Sequence, residues 1–205
     1  MIQTVKSLRF ATVTAAALVL SGCLGLGGGK APPSLLSLTP AKSAPAGAVA
    51  SGTGATAIMV MEPDTDKRLA VQRVPVQVSA SSIAYLKDAL WVERPARLFR
   101  GLLAETLRAQ PLPGGGGRLV LEDDQAAPLI GTRLSGRLLD MGYDAREMAV
   151  VVRFDAFRTG PSGEIATRRF ESVVSGVSAK PDAVGAALNR AANDVAGQVA
   201  EWMAQ

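Results

Sequence analysis

The residue with the clearest chemistry is Cys23, the single cysteine of a 205-residue chain that contains no histidine. It follows Leu20-Ser21-Gly22, an aliphatic residue and two small ones, which is the bacterial lipobox pattern. Small residues open the peptide bond before Cys23 to a peptidase, and the thiol is the nucleophile that accepts a diacylglyceryl group. A chance buried cysteine would not need this setting: Lys6 and Arg9 precede an 11-residue apolar stretch from Phe10 to Leu20, too short to span a bilayer comfortably. Residues 1–22 therefore read as a lipoprotein signal peptide, with Cys23 as the lipidated position carrying acyl (palmitate) chains. Its loss takes two positive charges from the formal net +4, and near-neutral charge with export argues against a nucleic-acid partner.

Other chemistries fail on residue type or spacing. Without histidine there is no imidazole base, and one cysteine cannot build a thiolate zinc site. Gly25-Leu26-Gly27-Gly28-Gly29-Lys30 lacks the spacing of a phosphate loop and is followed by Ala31. Asp64-Thr65-Asp66 opens like a calcium loop but continues with Lys67-Arg68, so it reads as a turn. Glu122-Asp123-Asp124 could place paired carboxylates for glycoside chemistry, but three adjacent acids fit a solvated loop better. Lys42, Lys67, Lys87 and Lys180 stand in no Ser-x-x-Lys pattern. No enzyme, cofactor or metal is expected. Tyr85, Trp91 and Trp202 stand out where aromatics make up 4% of the chain; they serve either as core or as a partner- or lipid-facing patch.

The elements that position these residues follow from periodicity. Residues 23–56 are mostly Gly, Ala, Pro, Ser and Thr and read as a linker, broken by Leu35-Leu36-Ser37-Leu38, which could add an edge strand. The folded domain is expected over 57–205. Ala57–Met61, Leu69–Gln72 and Val76–Val78 read as short strands. Pro95 opens a helix with Leu98, Leu102, Leu103 and Leu107 on its apolar side and Arg97, Arg100, Glu105 and Arg108 on the other; it ends before Pro111. Thr132–Tyr143, Met148–Phe157 and Glu164–Ser175 form a three-stranded meander, with Met148, Val150, Val152 and Phe154 sharing one face. Val184, Leu188, Ala191, Val195, Val199 and Trp202 draw one stripe along a final helix from Pro181. The expected architecture is α+β: an antiparallel sheet of about four to six strands with two main helices on one face.

The run Pro63–Val71, then Ile83-Ala84-Tyr85, Trp91, the Leu-rich helix through Leu98, Leu102 and Leu107, and the Ala-rich helix ending at Trp202 resemble the ABC-type transport auxiliary lipoprotein family, which includes paraquat-inducible protein C. The resemblance spans about residues 32–204. Leu35 and Leu36 stand where the family usually carries an aromatic pair, which leaves the first strand's register open. The resemblance implies a non-enzymatic component of a mammalian-cell-entry (MCE) lipid transport system, whose partners are an MCE-domain periplasmic protein, an inner-membrane permease and an ATPase. It implies a lipid anchor on the periplasmic face of a Gram-negative outer membrane, the compartment that Leu24 after Cys23 also favours, and admits a homo-oligomeric ring. Tyr85 and Trp91 match its aromatic positions. A lipoprotein of another envelope machine, for lipopolysaccharide assembly or secretion, is the rival reading.

Overall fold

The computed structural model describes residues 34–111, 117–122 and 131–205. Cys23, the glycines 114–116, Asp123 and Asp124 lie outside these residues. Among the described residues the strands are β1 (Ile58–Val60), β2 (Asp64–Thr65), β3 (Arg73–Gln77), β4 (Ile83–Leu90), β5 (Val120–Glu122), β6 (Thr132–Asp144), β7 (Ala149–Thr159) and β8 (Ile165–Val174). The helices are α1 (Pro95–Arg108) and α2 (Pro181–Trp202).

The class is α+β as expected, but the sheet is mixed and has eight strands. Its organiser is β6. One edge of β6 pairs antiparallel with β7 from Arg133↔Thr159 to Asp144↔Ala149, and β7 pairs in turn with β8. The other edge takes three short strands in succession, all parallel: β1 at Thr132–Leu134, β2 at Arg137–Leu138 and β3 at Tyr143–Asp144. β5 extends the sheet beyond β1 in parallel, and β4 pairs antiparallel with β3. Parallel neighbours need a crossover, and α1 lies in the chain between β1 and β5. Strands of two or three residues carry no measurable alternation, which is why the sequence suggested a purely antiparallel and smaller sheet.

Alternation on the long strands separates two faces. Leu134, Leu138, Met141, Val150, Val152, Phe154, Ala156 and Phe170 are buried in the core under the helices. Phe154 meets Phe99 of α1 edge-on, with ring centroids 5.3 Å apart, and Phe170 meets Trp202 of α2 at 5.7 Å. The predicted α2 stripe is buried throughout, and Ala187, Ala192, Ala196 and Ala200 widen it. Small side chains let this helix lie close to the sheet. Proline occupies the first turn of both helices, where its missing N–H costs nothing, and Asp182 complements the positive end of α2.

Four local expectations change. Leu69–Gln72 is a turn rather than a strand; Asp66 accepts from the Arg68 backbone N–H at 3.1 Å and holds it, while Leu69 enters the core. Asp64–Thr65 is a two-residue strand, and Asp66 alone keeps the turn role. Met148 leaves the inner face for the β6–β7 turn, with φ 48° and an exposed side chain. Arg100 is buried rather than on the open face of α1, because it reaches Glu122 at the end of β5, 3.1 Å away.

Candidate functional site

Among the described residues no group of three or more His, Cys, Asp or Glu is placed to hold a metal ion. Two surfaces carry the unusual geometry instead. One is the N-terminal strap, the other the sheet face that the helices leave open.

The folded unit begins at Ser34, not at Ala57. Residues expected to belong to the linker lie on the domain because polar side chains of both helices hold their backbone. Leu36 donates to the Leu90 carbonyl at 2.7 Å and accepts from Val92 N–H at 2.9 Å, bridging Trp91 in parallel. Its side chain fills a notch at Gly185 of α2, where an added Cβ would lie 2.6 Å from Leu36 Cδ2. Further on, Asn189 Oδ1 accepts from Thr39 N–H at 2.8 Å and Asn193 Oδ1 from Ala41 N–H at 2.6 Å. Asn193 Nδ2 donates back to the Thr39 carbonyl at 2.9 Å, and Glu105 of α1 accepts from Ala44 N–H at 2.8 Å. Asn189 and Asn193 are four apart and so share one face of α2. Each such bond contributes about 0.5–1.5 kcal/mol. Neither asparagine was singled out in the sequence; an amide pair on the polar side of an Ala-rich helix, with a glycine one turn earlier, was the only signal.

The open sheet face presents charge in rows. Register sets Arg137, Asp155 and Arg169 side by side across β6, β7 and β8, and Asp140, Arg153 and Glu171 in a second row. Arg169 grips Asp155 with both Nε and Nη2 at 2.6 Å. Asp140 accepts a contact from Arg68 at 2.9 Å and from Arg153 at 3.1 Å, and Arg153 also pairs with Glu171. Hydrogen bonding from Arg169 lowers the Asp155 carboxyl below its ordinary range, and Arg146 does the same to Asp144. Burial raises the Asp140 carboxyl against the pull of Arg68 and Arg153. A cleft of about 440 Å³ opens here between Arg68, Pro75, Asp140, Arg146, Val151 and Arg153.

The three aromatics are not brought together. Trp91 is 1% exposed and Trp202 is 7% exposed, so both pack the core. Tyr85 is half-buried on β4 beneath the Arg73 guanidinium, 4.4 Å from the ring centroid. Alternation along the chain turns Trp91 inward and Val92 outward, so the exposed side chain at this point is Val92. Glu122, a candidate acid by sequence, pairs with Arg100 and Arg108 and ties α1 to β5.

A sheet with two helices on one face, a pinned N-terminal strap and a second face of paired charges make up the described domain, and no described helix is long and apolar enough to cross a membrane. The family model for the ABC-type transport auxiliary lipoprotein component matches residues 37–200, and the chain belongs to that family. Among solved structures, an uncharacterized protein is similar at 16% identity and a TM-score of 0.61, covering 83% of this chain and 99% of that one. A Xanthomonas campestris protein assigned to the DUF330 family is similar at 15% identity and a TM-score of 0.61, covering 85% and 93%. At these identities the likeness concerns the fold. No curated protein matches the chain significantly.

Proposed function

We propose that this protein is a non-enzymatic, lipid-anchored outer-membrane component of an MCE-type lipid transport system, docking the periplasmic MCE assembly to the membrane. The observation that carries the reading is the family match over 37–200, which takes in the folded unit from the strap to α2. The lipobox at Cys23 supports the anchor, and Leu24 after it supports the outer membrane. Several acyl chains together give a stable tether where one would exchange. The face of β6–β8 opposite the buried one carries rows of paired charge. Exposed ion pairs of this kind add little stability but favour specific association.

The test is affinity isolation of the full chain from detergent-solubilised envelopes, comparing wild type with Cys23→Ala. Recovery of an MCE protein with its permease and ATPase is the expected result. Recovery of a lipopolysaccharide-assembly or secretion complex, without those components, would replace this reading by its rival.

A further inference from the structure

The strap ends beside a small exposed apolar patch. Val92 N–H donates to the Leu36 carbonyl at 2.9 Å, and Trp91 N–H donates to the Gln72 carbonyl at 3.0 Å. Gln72 Nε2 in turn reaches the Val92 carbonyl at 2.9 Å. Three bonded segments thus meet, and the residue next to each junction that does not enter the core is aliphatic: Leu35 is 52% exposed, Val92 44% and Val71 36%. Exposed aliphatics elsewhere on the sheet are Ile83 on β4 and Ile165 and Val173 on β8, of which Val173 lies two residues from Glu171. Arg94 and Arg97 follow Val92 closely, each at the surface and paired at 3.5 Å, with Glu62 and Glu93 respectively. Such exposed pairs are weak and can be exchanged for other anions.

The chain between Cys23 and the start of the fold is what selects the occupant of this patch. Ten residues lie between Cys23 and Ser34. As a random coil they reach roughly 18 Å, and at full stretch about 40 Å. A tether counted to Ala57 would be three times as long in residues and would leave every face of the domain free to turn outward. The Asn189, Asn193, Glu105 and Gly185 contacts remove that freedom by holding residues 36–44 on the helices. We propose that Leu35, Val71 and Val92 form a membrane-seating pole that rests in the headgroup layer of the bilayer holding the Cys23 lipid, with Arg94 and Arg97 facing anionic headgroups. This rests on the lipid-anchor reading above. Burial of three aliphatic side chains adds to the tether without replacing it. Its effect is orientational: the strap pole faces the bilayer.

In the lipidated protein the Cys23 sulfur is a thioether, so a cysteine introduced elsewhere is the single free thiol. The full lipoprotein, carrying Val92→Cys or, as control, Val173→Cys, is labelled with an environment-sensitive fluorophore. It is then reconstituted in phosphatidylethanolamine/phosphatidylglycerol vesicles, with and without lipids bearing a shallow spin-label quencher. The Val92→Cys label is expected to lose at least half its emission to the quencher lipid, while the Val173→Cys label changes little. Equal quenching at both positions, or none at Val92→Cys on protein that floats with the vesicles, overturns the seating pole alone. Unlabelled Val92→Cys protein that oxidises to a disulfide-linked dimer on the vesicles, while the labelled protein is unquenched, gives the patch to a second copy and also overturns it. Wild-type protein that retains a titratable thiol and fails to float overturns the anchor reading, and the pole with it.

Discussion

The two faces of β6, β7 and β8 are built from the same residues in alternation, yet they answer to different physics. On the inner face Leu138, Val152, Phe154 and Phe170 are sealed under α1 and α2, and the aromatic contacts Phe99–Phe154 and Phe170–Trp202 lock sheet to helices. On the outer face the neighbouring positions carry Asp140, Arg153, Asp155, Arg169 and Glu171, paired across strands, with Asp140 the most covered of them. The first face supplies stability through buried apolar area. The second adds little to stability and leaves a patterned surface free for a partner. The N-terminal strap is a third arrangement, in which the side-chain amides of Asn189 and Asn193 and the Glu105 carboxylate bind backbone groups while Leu36 packs at Gly185.

Substitutions sharpen this contrast. Phe154→Ala removes the ring that meets Phe99 and should lower unfolding free energy by about 3–5 kcal/mol, read as a fall in the urea midpoint; Val173→Ala on the outer face should stay within about 0.5 kcal/mol. An equal cost at both sites would break the division between faces. Asn193→Ala removes one acceptor and one donor from the strap and should cost about 1–2 kcal/mol. Its specific mark is faster amide exchange at Thr39 and Ala41 with the sheet amides unchanged.

The two outer-face aspartates should respond to pH with opposite sign. Asp155 has a lowered carboxyl, so its contribution is present above the ordinary carboxylate range and is lost as pH falls through the folded value. The stability gap between wild type and Asp155→Asn should therefore shrink on acidification below about pH 4. Asp140 has a raised carboxyl, so its favourable contribution is complete below the ordinary range and is lost as pH climbs through the folded value. Wild type should thus lose ground to Asp140→Asn as pH rises from about 4. Thermal melts of both variants against wild type across pH 3–7 check the two signs. The same sign for both would mean that burial does not govern Asp140.

How much of this was legible depends on length and locality. Both helices were readable to within a residue or two, because Pro95 and Pro181 mark their starts and the apolar stripes recur for several turns. The β6–β8 meander was readable from alternation over ten or more residues per strand. Strand β4 was not: Ile83–Leu90 contains Lys87 and Asp88, and the positive φ of Asp88 marks a register shift that breaks the alternation. The strap was partly visible in the aliphatic run at Leu35–Leu38. Its anchors were not, because Asn189 and Asn193 lie about 150 positions from the backbone they hold. Trp91 was found as a notable residue but its side of the chain was not, since one residue of register decides between the core and Val92's place at the surface.

The proposed attachment through Cys23 would join the folded domain to its family role, and density-gradient separation of envelope membranes tests it most directly. Wild type should band with the outer membrane, and Cys23→Ala should move to the soluble periplasmic fraction while keeping its thermal melt. Wild type banding with the inner membrane, or a Cys23→Ala variant that stays with the outer membrane, would contradict the account.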